Sequence, residues 1–307
     1  MPQDATPRST ARPVDAGALA RIRQRLACAP QAPWLHGEVA RRMAERLTVV
    51  RLQPGAVLDW HAHLGASRTL LRRAYPRARV MAVETGAPPA GSVSTSPWWS
   101  PRRWTATAPA LDAAAVPAAQ AQLLWSNMAL HGEAVPQVLM RRWQQALAVD
   151  GFLMFSTLGP GTLQGLRSLY RQAGWPPPHA PFVDMHDLGD MLVEAGFADP
   201  VMDQETVTLT WADPAALLAE LRSLGGNADP ARVAGLRTPR WRALLLQRLA
   251  AARADGGLRA ADGRLALDFE IVYGHAFKAA PRLRVQGTTR VDVDDLRTMA
   301  RRPRPGT

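Results

Sequence analysis

The chain has 307 residues, of which 47% are hydrophobic and 21% charged, a composition typical of a globular protein with a substantial core. No apolar run reaches the roughly 18–20 residues of a membrane-spanning helix, and the N-terminus shows no secretion signal, so neither a membrane protein nor a secreted one is predicted. The single cysteine, Cys28, excludes an internal disulfide and suits a reducing cytoplasm, where we expect the protein to reside.

The net charge of +11 is almost all arginine, since Lys278 is the only lysine. A GC-rich genome accounts for this bias. Two functional alternatives are an acidic protein partner and nucleic acid. The charge is scattered along the chain, and no recognisable nucleic-acid module accompanies it, which favours the acidic protein over nucleic acid.

The first elements in chain order are a polar, disordered tail over residues 1–16 and two helices over 17–47, separated at Pro30 and Pro33. A short apolar strand over 56–58 follows, then a tight turn and a helix over 67–74. A second apolar strand, 79–83, ends on Glu84. Strand, turn, helix, strand and terminal acid predict the first half of a Rossmann-like unit.

Strands and helices continue to alternate after a segment over 86–104 that is too rich in proline and glycine for a helix. This alternation predicts an α/β fold with a mostly parallel sheet, an antiparallel edge, and helices on both faces. The predicted strands are 123–125, 152–156, 207–211 (the antiparallel edge) and 269–275, and the predicted helices are 134–148, 186–195, 213–223 and 240–253.

The turn after the first strand is the most informative motif. A nucleotide-type turn uses glycine where the backbone takes positive φ and approaches the cofactor closely. Here His61 and His63 occupy two such positions, and only Gly65 is kept. A side chain held in left-handed geometry costs roughly 1–2 kcal/mol, so two such changes predict weakened cofactor binding unless the loop has re-formed.

Several further motifs carry a family resemblance. They resemble the class I S-adenosylmethionine-dependent methyltransferases and, more narrowly, the malonyl-acyl-carrier-protein O-methyltransferases of biotin synthesis, over about residues 34–280. The matching runs are Ser126-Asn127-Met128-Ala129-Leu130-His131, Phe155-Ser156-Thr157-Leu158-Gly159-Pro160-Gly161, Phe182-Val183-Asp184-Met185-His186-Asp187-Leu188, Gly196-Phe197-Ala198-Asp199-Pro200 and Phe269-Glu270-Ile271-Val272-Tyr273-Gly274-His275.

The resemblance implies one methyltransferase domain over 17–280, with an inserted segment at 165–200 and a basic tail at 281–307. It implies S-adenosylmethionine as donor and, as acceptor, the free carboxylate of a malonyl thioester on an acidic acyl carrier protein. No catalytic side chain is assigned, because methyl transfer from a sulfonium rests on proximity and alignment. The predicted cofactor residues are Asp59, Trp60, His61, His63, Gly65, Glu84 and Ser126, and the predicted substrate residues are Asn127 and His131.

The chain also departs from the family pattern outside the turn. Segment 86–104 replaces the usual helix after the strand-end acid. Gln122 stands for an acid, a position near Ala29 for the tyrosine that covers the cofactor, and Pro181 for an arginine suited to a malonyl carboxylate. These departures leave open a second hypothesis, a catalytically inactive paralogue that serves as a binding or assembly protein. A third is a relative that modifies protein side chains.

Four smaller patterns have alternative interpretations. His61-x-His63 lacks the further ligands of a metal pair, so no metal is predicted. The Trp98-Trp99 and Arg102-Arg103-Trp104 cluster either stacks on a base or anchors a long loop, and the loop is favoured. Helix-boundary hydrogen bonding is an alternative role for His131 and also for His186. Ser156 and Thr157 have no positioned base, so a nucleophile is not predicted.

Overall fold

A computed structural model describes residues 12–85, 110–252 and 257–280. The predicted tail at 281–307 and the segment 86–104, with its tryptophan and arginine cluster, lie outside the described residues.

Seven strands and nine helices make up the described parts of the chain, apart from short 3-10 turns. The strands are β1 (Ala56–Trp60), β2 (Arg79–Glu84), β3 (Leu111–Asp112), β4 (Ala121–Ser126), β5 (Leu147–Leu158), β6 (Ala198–Trp211) and β7 (Leu265–Phe277). The helices are α1 (Ala16–Ala27), α2 (Trp34–Arg46), α3 (Ala62–Gly65), α4 (Arg68–Ala74), α5 (Pro136–Ala146), α6 (Gln164–Gln172), α7 (Met185–Glu194), α8 (Pro214–Leu224) and α9 (Pro239–Ala250).

The strands form one mixed sheet in the order β3-β2-β1-β4-β5-β7-β6. The first five of these pair in parallel, while β7 runs antiparallel to both β5 and the edge strand β6. The predicted α/β class with an antiparallel edge is therefore confirmed. The order reverses between β1 and β4, and in sheets of this kind ligands bind at the carboxyl ends of the strands beside that reversal.

Helices cover both faces of the sheet, as predicted. Helices α2, α4, α6, α8 and α9 pack their apolar side chains into one core, and α5 and α7 fill the other. Strand β1 contributes to both cores, with Val57 on one side and Leu58 and Trp60 on the other. A strand buried on both faces reads as a continuous apolar run, which is why 56–58 could be recognised.

The N-terminal residues 12–15 correct the boundary of the predicted disordered tail, because they pack on the domain. The Asp15 carboxylate accepts a 2.7 Å hydrogen bond from the N–H of Ala18 and so caps α1. The backbone N–H of Arg12 donates to the carbonyl of Ala134 at 2.8 Å. The order of this segment follows from these local and long-range bonds, whereas polarity and proline content indicated none.

Most predicted elements are confirmed with shifted ends. Strand β5 extends well beyond the predicted 152–156, and β6 beyond 207–211, because their outer halves carry polar residues that broke the apolar pattern. Helix α6 was not among the predicted elements. Within 12–85, 110–252 and 257–280, no helix combines the length and apolarity needed to cross a membrane.

Candidate cofactor and substrate site

Three acidic residues lie at the carboxyl ends of three neighbouring strands. Asp59 is the fourth residue of β1, Glu84 ends β2, and Asp112 ends β3, where it pairs in register with Glu84. The sequence analysis missed Asp112. Asp112 is the last residue of β3, and a strand of two residues is too short to recognise from periodicity. The three acids place carboxyl groups side by side at this end of the sheet.

The turn after β1 has re-formed as a single helical turn, α3, with a left-handed residue at each end. His61 has φ 57° and ψ 43°, and Ala66 has φ 53°. His63 lies inside the helical turn, so this former glycine position no longer requires positive φ. Gly65 packs closely in this turn, because an added Cβ would lie 3.1 Å from Oγ of Ser67. Only one of the two histidines therefore bears the expected strain.

The two histidine rings have different surroundings. The His63 ring is exposed, and its Nε2 lies 2.9 Å from the carbonyl oxygen of Ala29, at the end of the first helix. The His61 side chain instead has its Nε2 shielded from solvent without a hydrogen-bond partner in the described chain. Burial lowers the pKa of His61 to about 4, with Arg23 adding to the effect, so the imidazole is neutral.

Burial also raises the pKa of the two inner carboxyls. The pKa of Asp59 rises to about 7 through desolvation, which the Arg68 charge opposes and the Glu84 charge reinforces. Desolvation raises the pKa of Glu84 too, against a hydrogen bond from the His63 N–H. Asp59 is fully buried, and neither of its oxygens has a hydrogen-bond partner within the described residues. A carboxylate in this state gains from a cationic or hydrogen-bond-donating ligand.

A cluster of three rings, which we call the histidine cluster, is formed by His36, His131 and Phe182. The His131 ring contacts the rings of His36 and Phe182 edge-on, with centroids 6.5 and 6.2 Å away. Burial lowers the pKa of His36 to about 4 and that of His131 to about 3, the latter also through the neighbouring His36, Arg12 and His61. The imidazoles of the cluster are neutral, and the substrate-binding role predicted for His131 stays a prediction.

Asn127 joins the turn, α2 and β5 through its amide group. Its Nδ2 donates to the carbonyls of His36 and Gly65, both at 2.7 Å, and its Oδ1 accepts from Oγ of Ser156 at 2.7 Å. Both amide N–H donors are therefore in use. Asn127 and Ser156 thus hold the turn, α2 and β5 together, and the substrate-binding role predicted for Asn127 stays a prediction.

Comparison with known proteins identifies the family. A malonyl-acyl-carrier-protein O-methyltransferase of Halorhodospira halophila is 40% identical over 276 residues, which span 87% of this chain and 90% of the relative. The enzyme of that name from Laribacter hongkongensis is 40% identical over 264 residues, 83% of this chain and 86% of the relative. This chain belongs to the malonyl-acyl-carrier-protein O-methyltransferase family. A scan against protein-family models gives no match.

Solved structures agree on the fold alone. A putative methyltransferase from Bacillus halodurans superposes with a TM-score of 0.51 at 12% identity, over 78% of this chain and all of that one. The YcgJ protein of Bacillus subtilis gives a TM-score of 0.50, also at 12% identity, over 80% of this chain and 99% of that one. The predicted Rossmann-like class I methyltransferase fold is confirmed.

Three departures from the family pattern of these O-methyltransferases are explained by the geometry. Gln122 lies at the amino end of the strands, where its Oε1 accepts from the N–H of Ala56 at 2.9 Å, so it is remote from the strand-end acids. The family tyrosine was expected near Ala29, and in this chain Nε2 of His63 lies 2.9 Å from the carbonyl oxygen of Ala29. At Pro181 the carbonyl oxygen accepts a hydrogen bond from Nη2 of Arg12 at 2.7 Å.

The remaining predicted residues divide between core and surface in this family member. The Trp60 indole packs in the core against Trp143, so only the main chain of Trp60 is available at the sheet edge. Ser126 is buried at the end of β4 with its Oγ unpartnered among the described residues. His186 is exposed and bonds to Asp184 at the start of α7, as its alternative interpretation predicted. Across the described ranges, no three His, Cys, Asp or Glu side chains are grouped to hold a metal.

Proposed function

We propose that the protein methylates the free carboxylate of malonyl-acyl carrier protein with S-adenosylmethionine, as the names of its relatives state for them. The observation that carries the proposal is Asp59. Its carboxylate is fully buried and lacks any partner in the described chain, at the end of a strand where α/β sheets bind ligands. Since an unpartnered buried carboxylate is costly, its retention supports a ligand that supplies positive charge or hydrogen-bond donors.

The donor set fits S-adenosylmethionine, which carries an ammonium group, a sulfonium and two ribose hydroxyls. Asp59 would accept from the positive end of the cofactor, Glu84 from the ribose hydroxyls, and Gly65 would keep the turn close-packed. Asp112 extends the acidic row on the next strand. When bound, the cofactor supplies an electrophilic methyl group, whose S–C bond breaks as an O–C bond forms to a carboxylate oxygen, leaving a neutral thioether and releasing no proton.

The histidine cluster suits this chemistry. Because the acceptor is a carboxylate and no proton moves, the neutral rings of His36 and His131 would act by shape and by excluding water. Asn127 and Ser156 would hold the neighbouring backbone in place rather than react. The work of the protein is then to bring an acyl carboxylate against the methyl group in line with the bond that breaks. The net charge of +11 complements an acidic carrier protein, and we place both in the cytoplasm.

A second candidate, an inactive paralogue that binds a partner, is favoured by one observation. His61 holds a left-handed conformation and places a shielded imidazole within the altered turn. Titration with S-adenosylhomocysteine by calorimetry separates the two functions. Binding at micromolar ligand supports the enzyme, and no binding at millimolar ligand excludes it.

The acceptor is tested separately, in a bacterial strain that lacks its own malonyl-acyl-carrier-protein methyltransferase and requires biotin. Growth without biotin when this protein is expressed supports the malonyl assignment. Tight cofactor binding without growth indicates a different acceptor. The Asp59→Asn variant, expressed at the same level, is the control. Growth of the strain with this variant would show that the rescue does not depend on the cofactor site.

A further inference from the structure

Arg12 carries a partly buried guanidinium beside the histidine cluster, between the loop at residues 131–133 and the loop at residues 181–182. Its Nη1 donates to the carbonyl of His131 and, at 3.0 Å, to that of Glu133. Its Nη2 donates to the carbonyl of Pro181 at 2.7 Å, and its Cζ lies 6.0 Å from the centroid of the Phe182 ring. All the acceptors that hold this cation are neutral backbone carbonyls.

The charge of Arg12 has no carboxylate hydrogen-bonded to it within the described residues. A guanidinium has five N–H groups, of which three donate as described, so the Nε–H and one Nη2–H remain. Nε is shielded from solvent and unpartnered in the described chain. Glu133 is engaged elsewhere, in a 2.8 Å ion pair with Arg23. Burial lowers the pKa of Arg12 because desolvation disfavours the charged guanidinium, and the nearby Glu133 charge opposes this effect.

The same guanidinium lies next to the histidine cluster. It bonds to the backbone of His131, and its charge contributes to the low pKa of that imidazole. Phe182 contacts both the Arg12 guanidinium and the His131 ring. The Nε–H and the remaining Nη2–H of Arg12 have no acceptor among the described residues, and the neighbouring rings are neutral. A guanidinium with two free N–H groups in such surroundings is suited to bind a carboxylate.

We propose that Arg12 is the specificity-determining residue for the anionic acyl group, which its Nε–H side binds through one carboxylate oxygen while the other accepts the methyl group. The inference rests on the proposed function and names the group that recognises its substrate. It also accounts for Pro181, where the family resemblance predicts an arginine. In this chain a guanidinium from the N-terminal segment reaches the same loop, held by the Pro181 carbonyl.

Arg12 also fixes the N-terminal segment in place, so the test must separate anchoring from recognition. Calorimetric titrations compare two ligands that differ by one charge, malonyl-acyl carrier protein and its methyl ester. For Arg12→Gln, we expect the affinity for the malonyl form to fall about 10- to 100-fold, as for loss of a charge-assisted hydrogen bond. The affinity for the ester, and for S-adenosylhomocysteine, stays unchanged. In kinetics KM rises while kcat changes less.

Arg23→Gln is the matched control. Arg23 holds the same loop through the Gly132 carbonyl at 2.6 Å and the Glu133 carboxylate, but its side chain is 44% exposed and its charge is paired. We expect it to leave the preference for malonyl over ester intact. Arg12→Lys keeps the charge without the fork and is expected to be intermediate, so the inference stays testable if Arg12→Gln folds poorly.

Equal weakening of malonyl, ester and S-adenosylhomocysteine binding by Arg12→Gln would mean that Arg12 only anchors the segment, and would overturn the inference. So would an Arg12→Gln variant that keeps the wild-type preference for the charged ligand. Failure of the proposed function looks different. Wild-type protein would then bind S-adenosylhomocysteine but neither carrier ligand, or would bind none of the three.

Discussion

The backbone N–H of His63 donates a 2.7 Å hydrogen bond to a carboxylate oxygen of Glu84. The altered turn is thereby tied to the acid that ends β2 through its main chain, and any residue except proline at position 63 could make this bond. His63 is helical, and its ring contacts the backbone at Ala29. The left-handed strain therefore falls on His61, and we expect its shielded imidazole to be the group that obstructs the cofactor.

His61→Gly should therefore raise cofactor affinity. Glycine relieves a left-handed conformation that costs about 1–2 kcal/mol and removes the shielded imidazole, while its chain entropy costs about 0.5–1 kcal/mol. We expect tighter binding of S-adenosylhomocysteine by calorimetry and a free energy of unfolding close to that of the wild type.

His63→Gly is the matched control for this change. Glycine within a helical turn costs about 1 kcal/mol relative to a better helix former, and the ring contact with Ala29 is lost. We expect lower stability with no gain in affinity. If His63→Gly tightened binding as much as His61→Gly, the assignment of the obstruction to His61 would be wrong.

Asp59→Asn should weaken cofactor binding without unfolding the protein. The neutral amide cannot pair with a cationic ligand, and loss of a hydrogen bond to a charged group predicts about a 10- to 100-fold fall in affinity. Stability should hold or rise, because the buried unpartnered charge is gone. In the wild type, affinity should also fall as the pH drops below about 7 and Asp59 takes up a proton.

Asp112→Asn is the comparison for Asp59, since Asp112 is exposed and already accepts a hydrogen bond from the N–H of Ala114. We expect a smaller loss of affinity from this variant. An Asp59→Asn variant that binds S-adenosylhomocysteine as tightly as the wild type at neutral pH would contradict the role given to Asp59.

Local patterns predicted the sheet well, and contacts distant in sequence were out of reach. The run at 56–58 showed β1 because a strand buried on both faces is continuously apolar. The strain at His61 followed from the need for positive φ at a glycine position. By contrast, Arg12 meets His131 and Pro181, which lie 119 and 169 residues away, so no spacing could place it there. The helical form of His63 depends on the whole re-formed turn, which periodicity cannot show.

Acid should destabilise the fold from a pH near 6.5 downward. Burial lowers the pKa of five histidines, so the unfolded chain, with histidine pKa values near 6.5, binds more protons as the pH falls. Asp59 and Glu84 oppose this, because their raised pKa values make the folded chain the stronger proton binder. The five are His36, His61, His131, His179 and His275.

Each net proton taken up on unfolding lowers the free energy of unfolding by about 1.4 kcal/mol per pH unit. Urea unfolding at a series of pH values should thus show stability present above the histidine range and lost as the pH falls toward about 4. Asp59→Asn removes one opposing group and should steepen the loss. A stability that is flat or rises on acidification would show that the carboxyls outweigh the histidines.

Asn127→Ala should destabilise the protein more than Ser156→Ala. The first change removes three hydrogen bonds, those from Nδ2 to the carbonyls of His36 and Gly65 and that from the Ser156 hydroxyl to Oδ1, and each contributes about 0.5–1.5 kcal/mol. The Gly65 carbonyl keeps a 2.9 Å hydrogen bond from Oγ of Ser67. Ser156→Ala removes one donor to Asn127 and one acceptor from the Met128 N–H, which keeps a second bond to the Ser156 carbonyl. Asn127→Asp should be worse than alanine, because an ionised carboxylate would face two carbonyl oxygens. Equal stability of the three variants by urea unfolding would show that Asn127 does not join the turn to β5.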